Sequence, residues 1–167
     1  MKINISDVLR NEKACIDIEF NDKVEGLEDT IGSYVLYGNV VFNGILRRAK
    51  GALLNLSGLI EFKYDISCYR CLNNIHGSMK IKVNESILSA AEVTDKDDVF
   101  TYEGKYIDLD VILKNYIILS LPMKQVCSNE CKGLCPICGS NLNESKCGCK
   151  EENNINPQMK ILKNYFE

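Results

Sequence analysis

The clearest pattern in the chain is the period-two alternation of LLNLSGLIEFKYDISC. Leu54, Leu56, Ile60, Phe62, Tyr64 and Ile66 fall on one face, and Asn55, Ser57, Glu61, Lys63 and Asp65 mostly on the other. This predicts a half-buried strand, with Cys68 continuing the inward set. Such a strand would span about 45 to 50 Å if straight, long for a small domain. Gly58 is therefore expected to bulge or bend it and the sheet to curl.

Ahead of this strand, YVLYGNVVFNGILRR is rich in β-branched and aromatic residues, and Lys50-Gly51 supplies a turn, so the two segments form an antiparallel hairpin. Ile16, Ile18 and Phe20 alternate with Asp17 and Glu19 in another strand. Met79, Ile81 and Val83 alternate with Lys80 and Lys82 in a further one, with a turn near Asn73 and Asn74. Residues 89–106 are acidic and lack a sustained period, which predicts a surface connector with a short strand near Val99 to Tyr102.

The period then changes. In DLDVILKNYIILSLP, Leu109, Ile112, Leu113, Tyr116 and Ile117 recur at helical spacing, Asp108 is a suitable N-cap, and Pro122 closes the pattern. This helix should cover the open sheet face. Near the end, NPQMKILKNYFE can start a short helix at Pro157, with Met159, Leu162 and Phe166 as packing residues. The pattern as a whole is α+β: a curled antiparallel β-sheet with a covering helix over residues 1–122, followed over 123–167 by a cysteine-rich tail with a short C-terminal helix. A chain of 167 residues is enough for one such core with a small appendage that needs its own staple.

Charge and composition narrow the classes of function. A formal charge of -3 argues against holding long stretches of nucleic acid by general phosphate attraction, so any RNA contact must be a local patch. The start lacks an apolar run of signal-peptide length, and no stretch approaches the roughly 18 apolar residues of a membrane span. The expected location is the cytoplasm. Thiols stay reduced there, so nine cysteines point to metal before disulfides.

Spacing divides the thiols. Cys135-Pro-Ile-Cys138-Gly139 is a CxxC turn in which the chain reverses and both thiolates arrive on one side, with Gly139 free to take a positive φ. Cys147 and Cys149 are the nearest pair to complete a tetrahedral zinc site. Cys68 and Cys71, at a hairpin end, are then left with Cys127 and Cys131 for a second zinc, and Cys15 is a spare small residue. A rival division places Cys127, Cys131, Cys135 and Cys138 on a single zinc. Two all-thiolate sites would carry about -2 each and bring the chain to about -7.

Other thiol chemistry fits less well. Cys131-x3-Cys135-x2-Cys138 matches the spacing of radical enzymes that use S-adenosylmethionine, but only 29 residues follow Cys138, too few for their barrel. The CPxCG turn favours zinc over an iron-sulfur cluster. A thioredoxin-like pair would want a βαβ context. The single histidine, His76, reads as a surface turn residue, and closed thiolate sites are structural, so the chain is expected not to be an enzyme.

These residues resemble a known family. CKGLCPICGSNLN followed by CGC and NPQMKILKNYF, SCYRCLN, and IDLDVILKNYIILSLPMKQVC together resemble the YceD family, the large ribosomal RNA subunit accumulation proteins, over most of residues 34–166. The resemblance implies a non-enzymatic role in making or retaining large-subunit rRNA through ribosome assembly. The implied partners are the large-subunit precursor or its rRNA and ribosomal proteins, with no membrane and no small-molecule substrate. Where an acidic residue, proline and arginine are expected before the last helix, this chain has Asn156-Pro157-Gln158. Arg47, Arg48, Lys50, Arg70, Lys80 and Lys82 are then the candidates for a local RNA-binding face. The alternative is a zinc-dependent interaction module that recruits a ribosomal protein or a nuclease without touching RNA.

Overall fold

The computed structural model describes residues 1–10, 14–24, 26–27, 32–49, 51–91 and 99–149. It is mostly sheet. Strands β2 (Cys15–Asp22), β3 (Val35–Arg48), β4 (Leu54–Ser67) and β5 (Asn74–Ser89) pair each with the next in antiparallel register, and the two-residue β6 (Thr101–Tyr102) joins β5 in parallel. A second ladder pairs β1 (Lys2–Asn4) with β7 (Tyr106–Asp108). Helices α1 (Ser6–Leu9) and α2 (Leu109–Ser120) complete the described elements.

The sheet is not strongly curled, against the expectation from the length of β4. Gly58 does not bulge: it pairs with Gly44 on one side and Val83 on the other in an unbroken ladder. The physical reason is Phe42. A Cβ at Gly44 would lie 2.4 Å from the Phe42 ring, and one at Gly58 would lie 2.6 Å from it. An aromatic ring thus fills the space two missing side chains leave, and no bend is needed there. The register irregularity lies in β3 instead, between Tyr37 and Val41, where Gly38 takes φ 77°.

The alternation of β4 translates directly into burial. Leu54, Leu56, Ile60, Phe62, Tyr64 and Ile66 are buried with Phe42, Leu46 and Ile87 from its neighbours, and Ile112, Leu113 and Ile117 of α2 close over them in one apolar cluster. The Asp108 side chain caps α2 by accepting from the Asp110 N–H at 3.2 Å. Tyr116 Oη donates to Glu85 Oε2 at 2.8 Å and ties the helix to β5. Beyond its end, the Pro122 carbonyl accepts from Tyr34 Oη at 2.6 Å, which fixes where the chain leaves for the tail.

His76 lies in β5 rather than in a turn, its Nδ1 2.6 Å from Asp65 Oδ1. The helix expected from Pro157, and the Asn156-Pro157-Gln158 triplet before it, lie outside the described residues. Among the described residues, no helix is long and apolar enough to cross a membrane.

Candidate metal centre

The structure gathers eight thiols into two groups. The Sγ atoms of Cys68, Cys71, Cys127 and Cys131 lie within 4.8 Å of one another, and so do those of Cys135, Cys138, Cys147 and Cys149. Cys15 stands apart on β2 opposite Arg47. This is the four, four and one division that spacing favours over the single-zinc rival, and all nine cysteines are free thiols.

The first group forms where the sheet ends. β4 stops at Ser67, the Leu72 N–H donates back to the Cys68 carbonyl at 3.0 Å, and the Cys68 N–H donates to the Asn73 carbonyl at 2.8 Å. That turn needs Leu72 in the left-handed region at φ 62°, an uncommon conformation for a leucine. Cys127 and Cys131 arrive on the segment after α2, which the Tyr69 N–H fixes by donating to the Gln125 carbonyl at 2.9 Å.

Two sulfur separations test the fit to a metal. Cys68 and Cys131 Sγ are 3.9 Å apart, and Cys71 and Cys127 Sγ are 3.6 Å apart. A tetrahedron with metal–sulfur bonds of about 2.3 Å has edges of about 3.8 Å, so these four thiols suit a tetrahedral thiophilic ion. Backbone N–H groups of Arg70 and Cys127 donate to Cys68 Sγ at 3.4 and 3.3 Å, the outer contacts that orient a thiolate ligand. Burial pushes the Cys68 thiol up, but N–H donors from Cys71, Cys127 and Arg70 outweigh it and draw it down to about 6. Cys127 is pushed up to about 12, first by its neighbours Cys131 and Cys71. Binding of a metal by the group releases the protons its thiols still carry.

The second group hangs on the first. Gly133 takes φ 75° against the Arg70 carbonyl, and the Leu134 N–H donates to that carbonyl at 3.1 Å. The knuckle itself closes with the Gly139 N–H donating to the Cys135 carbonyl at 2.9 Å and the Cys135 N–H to the Ser140 carbonyl at 2.8 Å, Gly139 having the positive φ its place requires. Contact with Ser140 draws the Cys138 thiol down to about 6, and Cys138 in turn pushes Cys149 up to about 12. Cys138 and Cys149 are exposed, whereas three of the four thiols in the first group are buried.

Of the described candidate cations, Arg47, Lys80 and Lys82 share the outer sheet face, whereas Arg48 and Arg70 are engaged elsewhere. Arg48 donates from Nη1 to the Leu9 carbonyl at 2.5 Å and from Nε to the Gly51 carbonyl at 2.9 Å. Arg70 Nη1 donates to the Cys131 carbonyl at 3.1 Å, and Lys80 Nζ pairs with Glu61 at 2.7 Å. Arg47 and Lys82 are exposed on the outer sheet face, but Arg47 aligns with Asn55 and Lys82 with Leu59, four residues or about 13 Å along β4. Lys50 is outside the described residues. Two residues that spacing did not single out, Asn141 and Asn143, hold the segment between Cys138 and Cys147. The GSNLNES stretch signals it through asparagines two apart, a side-chain turn pattern.

Comparison with known proteins places these groups in context. The family described as large ribosomal RNA subunit accumulation protein YceD matches residues 56–165. An uncharacterized protein of Mycobacterium tuberculosis is 33% identical over 76 residues, covering 43% of this chain and 37% of its own. A large ribosomal RNA subunit accumulation protein YCED homolog 1, chloroplastic, of Arabidopsis thaliana is 26% identical over 140 residues, 65% of this chain and 42% of its own. Its Zea mays counterpart is 42% identical over 55 residues, 32% of this chain and 19% of its own. The chain thus spans less than half the length of these relatives. No solved structure matches it.

Proposed function

Because this chain belongs to the YceD family of large ribosomal RNA subunit accumulation proteins, we propose that it is a non-enzymatic factor for large-subunit rRNA accumulation during ribosome assembly. Zinc is the ion both thiol groups take, and it serves structure. The observation that carries this reading is that the family match takes in all eight grouped cysteines together with most of β4 and all of β5 and α2.

Four thiolates leave a tetrahedral ion no open position for substrate, which favours a staple over a reaction centre. On this reading the zinc sites hold residues 123–149 to the end of the sheet, and the combined surface meets the large-subunit precursor. Binding of a structural zinc supplies on the order of 10 kcal/mol before the chain is ordered. The protein should co-sediment with large-subunit precursor particles after crosslinking at low salt, and free migration there would refute it.

A second reading, recruitment of a ribosomal protein or a nuclease without RNA contact, has its own support. Tyr69 and Leu72 flank the first thiol group with 63% and 64% of their surface exposed, and Met123 is fully exposed. Exposed aromatic, aliphatic and methionine side chains at a rigid end suit a protein partner. Charge separates the two. Replacing Arg47 and Lys82 by glutamine should weaken particle binding and flatten its salt dependence under the first reading, and leave both unchanged under the second.

A further inference from the structure

Asn143 belongs to one thiol group by sequence and to the other by contact. It lies on the segment that runs from Cys138 to Cys147, both of the second group, yet its Nδ2 donates to Sγ of Cys131, in the first group, at 3.4 Å. Its Oδ1 accepts the Lys132 N–H, next to Cys131, at 2.8 Å. The segment is held in this pose along its length. The Leu142 N–H donates to the Gly133 carbonyl at 2.9 Å, Leu134 and Asn141 form an antiparallel bridge, and Asn141 Oδ1 accepts from both the backbone N–H and the Nδ2 of Asn143 at 3.0 and 2.9 Å.

An amide N–H on a metal-bound sulfur spreads the thiolate charge and fixes the side-chain rotamer, so it strengthens binding only while it is held in place. The hold on Asn143 comes from a segment whose two ends are ligands of the other site. Gathering Cys135, Cys138, Cys147 and Cys149 around an ion fixes both ends at once. An empty second group leaves them tied only by hydrogen bonds.

We infer that Asn143 is a positioning residue through which the two sites bind metal cooperatively, the filled second site setting the donor that completes the first. Coupling of this kind is reciprocal, so a filled first site also favours filling of the second. The inference rests on the metal-binding reading of both groups. The two fail differently: if neither group takes up metal that reading falls, whereas if both take it up independently only the coupling falls.

The test is a double-mutant cycle on the full chain, with Co2+ as probe because its absorption reports tetrahedral thiolate coordination, and with Zn2+ competition for affinity. Asn143→Ala should weaken each site about tenfold when measured with the other filled, and should shift the Co2+ bands of the first site. Cys149→Ser, which breaks the second site, should weaken the first by the same factor, and the double variant should be no worse than either single one. Losses that multiply would overturn the coupling. If Cys149→Ser fails to fold, Asn143→Ala decides alone: a loss at both sites supports the inference, and a loss confined to the first overturns it.

Discussion

The backbone N–H of Leu134 donates to the carbonyl oxygen of Arg70 at 3.1 Å, joining the residue just before one CxxC turn to the middle of the other. The two thiol groups are therefore parts of one docked unit at the end of the β4–β5 hairpin. Gly133 makes the approach possible, since a Cβ there would lie 3.1 Å from the same carbonyl in a left-handed backbone. Gly133→Ala should cost about 1 to 2 kcal/mol and lower the resistance of the metal to a chelator. A variant that melts and releases metal like the wild type would show that the docking is dispensable.

Metal content reports the grouping of the thiols. Cys147→Ser should remove one equivalent of zinc and leave the site at Cys68 and Cys71 loaded. Cys68→Ser should remove the other. Metal analysis of the purified variants checks both, and loss of all metal from Cys147→Ser would favour a single shared ion.

Chelation should loosen the tail and spare the sheet. The buried residues Cys68, Cys71 and Cys131 form a small cluster of their own beside the large apolar cluster that joins the sheet to α2, with Ile75 packed against both. Under limited proteolysis the metal-free protein should be cut after Pro122, within 123–149, while the far-UV circular dichroism of the strands persists. Global unfolding on chelation would mean that the sheet cannot stand without the metal.

The strand cores were legible because burial on one face imposes a strict period, and the thiol groups because a tetrahedral ion constrains ligand spacing. What holds these parts together was not. Arg70 reads as a candidate for RNA contact, yet its carbonyl and guanidinium hold the docked tail and its N–H donates to Cys68 Sγ. Asn143 does not stand out in the sequence, because nothing local reveals a contact with a cysteine twelve positions earlier. The curl expected at Gly58 failed for a similar reason. Its compensation by Phe42 and Gly44 comes from the neighbouring strand, and cross-strand contacts leave no period in either segment.

That glycine pair gives a stability test. At Gly44 a Cβ would meet the Ser57 carbonyl at 2.7 Å as well as the Phe42 ring, so relief by a rotating side chain alone is closed off. Gly44→Ala should destabilise the fold by about 1 to 3 kcal/mol, read as a lower denaturant midpoint with metal content unchanged. An unshifted midpoint would show that the strands can separate enough to admit a methyl group.

Arg48 separates stability from binding among the basic residues. Its Nη1 ties the Leu9 carbonyl of α1 to β3 while its Nε braces the β3–β4 turn at Gly51, so Arg48→Ala should cost about 1.5 to 3 kcal/mol. Binding to precursor particles, measured below the lowered melting temperature, should match the wild type. A selective loss of binding at unchanged stability would return Arg48 to the RNA-contact candidates.

The central claim is that a zinc-stapled, non-catalytic factor sustains large-subunit rRNA. The most direct measurement is the ratio of large- to small-subunit rRNA in cells depleted of the protein and complemented with either the wild-type chain or a Cys68→Ser, Cys71→Ser variant. The account predicts that the ratio falls on depletion, recovers with the wild type, and stays low with the variant at matched protein level. A ratio unchanged by depletion, or restored equally by the variant, would contradict it.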